Sequence, residues 1–165
     1  MKIAIFSDIH GNLQALESIL EDISNKNIDK IYCLGDVIGI GPNPKECLDL
    51  IIKNKINMVL GNHELYYLKG TNIDDEMDEE QIKHQQWIKS NLNKKHYEFL
   101  SDCNLVIKEN INDIKIEFKH FFINNKEYPF LDFDILENKC LKKYIDSDIT
   151  FIGHFHTNFK NTYEN

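Results

Sequence analysis

The chain has 165 residues, 42% of them hydrophobic and 28% charged, with a formal net charge of −8. That length suits one domain with a real core, and no apolar run nears the roughly 20 residues that span a bilayer. The acidic balance argues against non-specific binding to nucleic-acid backbones; a nucleotide substrate stays open, because bound divalent cations would reverse the local field.

Lys2–Phe6 reads as a strand running into Ser7-Asp8-Ile9-His10. It stands where a signal peptide would lie, so cytoplasmic residence is the expectation. Asn12 reads as a helix cap, with Leu13, Leu16, Ile19, Leu20 and Ile23 following at helical spacing. Lys30–Leu34 is a second buried strand, and a glycine-rich loop runs from Gly35 to Asn43. Asn43-Pro44 predicts a cap with proline at the first helical position, and the helix to about Asn54 turns Cys47, Leu48, Ile51 and Ile52 inward. Asn57–Leu60 completes a β-α-β-α-β series, which implies a largely parallel sheet with right-handed crossovers.

Asp74-Asp75-Glu76-Met77-Asp78-Glu79-Glu80 carries six acids in seven residues. A solvated turn leading into an acidic first helical turn explains it better than a cation or partner site. Ile82, Gln86, Trp87 and Ile88 mark that helix, and Tyr97, Phe99 and Leu100 a second, both read as a helical cap segment at about 64–103. Leu105–Ile107 and Ile114–Phe118 predict two strands joined by a polar turn at 108–113, an antiparallel hairpin with one wet face. A helix over about 134–145 leads to a last strand, Asp148–Ile152. With no repeat or linker in sight, residues 1–165 read as a single domain.

Four strand ends carry the chemistry: Asp8-x-His10, Gly35-Asp36, Gly61-Asn62-His63-Glu64 and Gly153-His154-Phe155-His156. Open α/β folds place their sites at strand ends of this kind. Singly each is weak, since Gly-Asp is often a plain turn and G-N-H a turn with a surface histidine. On an extended chain Asp8 and His10 point the same way and can reach one ion. Asp36 can be shared between two ions, one oxygen to each; Asn62 offers a neutral carbonyl, and His63 can carry a proton to a leaving group. His154 and His156 repeat the spacing of Asp8 and His10, and paired histidines at a strand end suit metal better than a structural role. Together the four point to two metal ions and hydrolysis of a phosphate ester. Oxygen and nitrogen donors without thiolate suit Mn, Fe, Zn or Ni rather than Mg or Ca, with Mn favoured. Cys33, Cys47, Cys103 and Cys140 are dispersed and read as reduced, mostly buried thiols. All 19 positive residues are lysine, so phosphate must be held by metals, histidines, amides or lysine.

In this order the motifs resemble the calcineurin-like metallophosphoesterase superfamily, whose pattern runs D-x-H, G-D, G-N-H-[E/D], a later histidine and G-H-x-H. The stretches Phe6–Asn12 and Gly35–Pro42 are similar to its bacterial phosphodiesterase branch, as is Gln86-Trp87-Ile88 through Leu92 to Phe99-Leu100. The resemblance implies an α/β fold, a two-sheet mixed β-sandwich flanked by helices in four layers. It implies that Asp8, His10 and His156 hold one ion, that Asp36 bridges, and that Asn62 and His154 hold the second. The intervening histidine is assigned to His120, which ends the Ile114–Lys119 strand, in preference to His84 and His96 on the cap helices. Phe121-Phe122 follows it where the family has glycine. His63 is implied as the proton donor outside the metal shell, and Asn12 is added as a substrate contact.

The implied reaction is in-line attack of a metal-bridging hydroxide on a phosphodiester or nucleotide-type ester, with no phospho-enzyme. The expected partner is a small phosphate ester or nucleotide, with no membrane and no specific nucleic acid. A protein serine/threonine phosphatase is disfavoured by the absence of arginine and the small size. A non-catalytic scaffold is disfavoured by the retention of His63. Nine residues follow His156 where that branch continues for several strands. Either the chain is natively short or it is truncated; a sheet ending there would lack those strands and expose an edge that offers a route to a homo-oligomer.

Overall fold

Alternation along the amino-terminal strands buries both faces of their sheet: Ile3, Ile5, Tyr32 and Leu34 point to one side, Phe6, Ile31 and Cys33 to the other. The computed structural model describes residues 1–70, 77–122, 145–157, 160 and 162. Strands β1 (Ile3–Phe6), β2 (Lys30–Cys33) and β3 (Asn57–Met58) pair in parallel in the order β1-β2-β3, with Ile3 opposite Lys30 and Tyr32 opposite Asn57. Helices α1 (Leu13–Ser24) and α2 (Pro44–Lys53) connect them. The Asn12 side chain caps α1 by accepting the Ala15 N–H at 3.0 Å. Pro44 opens α2, where it leaves no backbone donor unpaired.

Helices α3 (Asn62–Lys69), α4 (Glu79–Asn91) and α5 (Lys94–Asp102) follow. Asp78 caps α4 reciprocally with Gln81, each backbone N–H meeting the other's side-chain oxygen at 2.8 Å. The helix thus begins inside the acidic run as expected, while Asp74, Asp75 and Glu76 lie outside the described residues. Leu16, Leu48, Ile51, Ile88 and Leu100 are fully buried against Cys33, Met58 and Leu60, forming one helix-on-sheet core.

Strands β4 (Val106–Ile111), β5 (Ile114–Lys119) and β6 (Ile149–Ile152) form the second sheet, β4 antiparallel and β6 parallel to the central β5. Two expectations for the hairpin are corrected. Its turn is only Asn112-Asp113, with φ of 52° and 64°, the left-handed pair a tight hairpin requires. The polar run before it belongs to β4, because Glu109 accepts from Tyr32 Oη at 2.6 Å and Lys30 Nζ at 2.9 Å on the first sheet. The wet face is confined to the turn end, where Lys108, Asn110 and Lys115 are exposed; farther along the same face Glu117 and Lys119 are buried, like Ile116 and Phe118 on the other. Their charges neutralise each other, Lys119 Nζ lying 2.6 Å and Lys108 Nζ 2.8 Å from Glu117.

The sheets meet across Tyr32 and Phe118, stacked with ring centroids 3.9 Å apart and planes within 6°. Leu34, Val59 and Ile116 complete this inter-sheet core. Helices, sheet and sheet make three layers among the described residues; all but the last residue of the expected 134–145 helix lies outside them. Cys33 and Cys47 are buried free thiols and Cys103 a half-buried one, with Cys140 outside the described residues. No helix among the described residues is long and apolar enough to cross a membrane.

Candidate metal centre

Past β1 and β2 the two chains knit together: Asp8 N–H donates to Gly35 O at 3.1 Å, His10 N–H to Asp36 O at 2.8 Å and Gly11 N–H to Val37 O at 2.8 Å. These bonds hold a backbone that would otherwise relax. Asp8, His10, Asp36, His154 and His156 all have positive φ, between 47° and 73°. The D-x-H and H-x-H segments are therefore not extended, contrary to expectation; they are left-handed turns that aim both side chains of each pair into one cleft. Such strain persists only where surroundings impose it, and it gathers at functional sites. Gly153 allows the close approach of the last turn, because a Cβ there would overlap Ser7 Oγ and lie 2.9 Å from Asp8 Oδ2.

The cleft gathers Asp8, His10 and His156 in one group and Asp36, His120 and His154 in another, with His10, Asp36 and His63 in a third that overlaps both. In the first, His156 Nε2 lies 3.0 Å from His10 Nε2 and 3.3 Å from Asp8 Oδ1. In the second, Asn62 Oδ1 is 3.1 Å from both His120 Nε2 and His154 Nδ1. Asp36 stands between them, its Oδ2 3.8 Å from His10 Nε2 and 3.2 Å from His120 Nε2. Its Oδ1 instead accepts the His63 N–H at 3.0 Å, so one oxygen faces both groups rather than one oxygen facing each.

The donor set suits cations. Asp8 Oδ1 is buried with no hydrogen-bond partner. The His120 Nδ1–H donates to Leu34 O at 2.7 Å, so that Nε2 faces the cleft and, in the neutral ring, carries the lone pair a cation would take, the support that ligating histidines need. His120 thus joins the cleft despite its Phe-Phe sequel. His84 and His96 belong to no such group among the described residues. Burial lowers the basicity of His10 and His154, and lowers His63 to about 4 against the opposing charge of Asp36. Burial also works against ionised Asp36 and His120, yet their mutual attraction prevails, taking Asp36 down to about 2 and His120 up. Asn12 spends its side-chain oxygen on the α1 cap.

Two residues of the site have no role in the sequence reading. Glu64, fully buried, accepts the backbone N–H of Asp36 and Gly61 on one oxygen and of Val37 and Ile38 on the other, at 2.8–3.1 Å. Its capping-box spacing from Gly61 is a signal that could have found it. Gln85 lies 3.0 Å from His63 Nδ1 and has no local signature at all.

A model of the calcineurin-like phosphoesterases matches residues 1–158. The chain belongs to the calcineurin-like phosphoesterase family. An uncharacterized protein of Methanocaldococcus jannaschii is 37% identical to it over 167 positions, covering 98% of this chain and 65% of its own. The symmetrical bis(5'-nucleosyl)-tetraphosphatase of Haemophilus ducreyi is 39% identical over 67 residues, 39% of this chain and 25% of its own. Among solved structures, the metallophosphoesterase from Sphaerobacter thermophilus superposes with a TM-score of 0.71 at 27% identity, over 94% of this chain and 61% of its own. The chain thus spans 65% and 61% of the length of these Methanocaldococcus and Sphaerobacter proteins, each of which covers nearly all of it.

Proposed function

We propose that the protein is a metal-dependent phosphoesterase acting on phosphodiester or nucleotide-type phosphate esters. The observation that carries this is Asp36, whose Oδ2 lies 3.8 Å from His10 Nε2 in one cluster of donors and 3.2 Å from His120 Nε2 in the other. Asp8, His10 and His156 would hold one divalent cation, Asn62, His120 and His154 the other, and Asp36 both; manganese fits this mixed donor set well. When bound, such a pair supplies Lewis acidity for the phosphoryl oxygens and a water acidic enough to attack phosphorus in line.

The protein's own groups do the rest. His120, tied to Leu34 O, keeps its Nε2 aimed at the cleft, where the neutral ring would offer its lone pair to a cation. Glu64 ties the Asp36 loop to the Asn62 loop, so that donors from two strand ends hold one geometry. His63, next in the chain to Asn62, is placed to protonate the departing oxygen. Burial keeps its ring neutral at pH 7, and an incoming phosphate anion favours the imidazolium that the step requires. A nucleoside polyphosphate is favoured among substrates by the partial likeness to a bis(5'-nucleosyl)-tetraphosphatase.

Single-turnover hydrolysis in oxygen-18 water tests the reading. Label is expected on the released phosphate, and Asp36→Asn should abolish turnover. Label on the protein, or full activity in Asp36→Asn, would refute it.

A further inference from the structure

Helix α4 sends a polar side chain into the site. Gln85 is only 7% exposed, and its Nε2 lies 3.0 Å from His63 Nδ1. Its other amide atom, Oε1, is buried with no hydrogen-bond partner. A half-satisfied buried amide is a poor structural choice, because the unpaired oxygen costs stability that a leucine at the same place would not. The side chain is therefore explained by what it does to His63.

The His63 ring is boxed on its other sides. His10 stands edge-on with centroids 5.0 Å apart, and Tyr66 does the same at 5.6 Å. Beneath it runs the backbone of Gly39, at φ 105°, where any Cβ would overlap Nδ1 and lie 2.6 Å from Cγ. These contacts fix the plane of the ring, and none of them chooses which nitrogen meets the substrate.

We infer that Gln85 is a positioning residue that makes this choice: by engaging Nδ1 it leaves Nε2 of His63 to meet the oxygen of the leaving group. A carboxamide suits the task better than a carboxylate. Its N–H donates to the bare Nδ1 of the resting neutral ring; once the ring is imidazolium the amide turns over, and its carbonyl accepts the Nδ1–H that stays in place while the Nε2–H passes to the leaving oxygen. This inference rests on the reading of His63 as proton donor.

The test compares manganese-loaded wild type with His63→Ala, Gln85→Leu, Gln85→Asn and the double variant His63→Ala/Gln85→Leu. Each is assayed on two aryl phosphodiesters, one releasing p-nitrophenol and one releasing phenol. Loss of an acid catalyst weighs on the poorer leaving group, so His63→Ala should lose about 10²–10⁴-fold on the phenyl ester and far less on the nitrophenyl ester. Gln85→Leu and Gln85→Asn, whose shorter amide cannot reach Nδ1, should lose about 10-fold or more on the phenyl ester alone, with manganese stoichiometry unchanged. Adding Gln85→Leu to His63→Ala should cost nothing further. Gln85→Leu should melt no lower than wild type. Equal losses on both esters, or an additive loss in the double variant, would assign Gln85 to the fold or the metals and overturn the inference. If Gln85→Leu shows no selective loss while His63→Ala does, the inference alone falls. If His63→Ala shows none, the proton-donor reading falls with it.

Discussion

At Glu64 four backbone N–H groups converge on one carboxylate, from residues up to 28 positions away. Burial first, then the neighbouring charge of Asp36, push this carboxyl up to about 7, while the amide bonds favour its ionised form. Glu64→Gln keeps the shape but turns an NH₂ against two of those donors. It should cost about 2–4 kcal/mol in urea unfolding, the range for losing two buried hydrogen bonds. Manganese affinity should fall with it, because Asp36 and Asn62 lose their common anchor. Unchanged unfolding and unchanged affinity would contradict this role. Of the residues that meet in the cleft, the acids and histidines were legible because their types and strand-end positions announce metal chemistry. Gln85 was not, since its meaning comes from a ring 22 residues away in sequence. The left-handed backbone at Asp8 and His10 was illegible too, being imposed by bonds from the neighbouring loop.

Among the elements, the β4–β5 hairpin is the one whose local sequence misleads. Lys108-Glu109-Asn110 has the composition of a turn, yet its central acid is satisfied by Lys30 and Tyr32 on the other sheet, a pairing no local pattern encodes. The true turn, Asn112-Asp113, is built from two residues that tolerate positive φ, and a glycine in place of Asp113 would relieve the remaining strain. Asp113→Gly should raise stability by about 0.5 kcal/mol with no change in turnover. A thermal melt reads this, and a lowered midpoint would contradict the turn geometry. The helices were easier to read. Asn12 and Pro44 are short-range signals, and α1 and α2 begin where they predict, while α4 begins within the acidic run read as its first turn.

For the molecule as a whole, the parallel β1-β2-β3 unit followed from alternating apolar runs, and the sandwich from the family resemblance. What joins the sheets, the stack of Tyr32 on Phe118, lies between residues far apart in the chain and had no sequence counterpart. The cleft has the same character, for His10 and His156 stand 3.0 Å apart in space and 146 residues apart in sequence. A site assembled over such distances holds together only if both sheets and the helical layer are in place, so its metal content reports on the entire fold. The decisive measurement is a titration of metal-stripped protein with Mn²⁺, following hydrolysis of bis-p-nitrophenyl phosphate. Activity is predicted to be absent in chelator and to rise to a plateau at about two equivalents per chain, the stoichiometry of a two-metal site. Full activity in chelator, or none with Mn, Fe, Zn or Ni at any stoichiometry, would contradict the account.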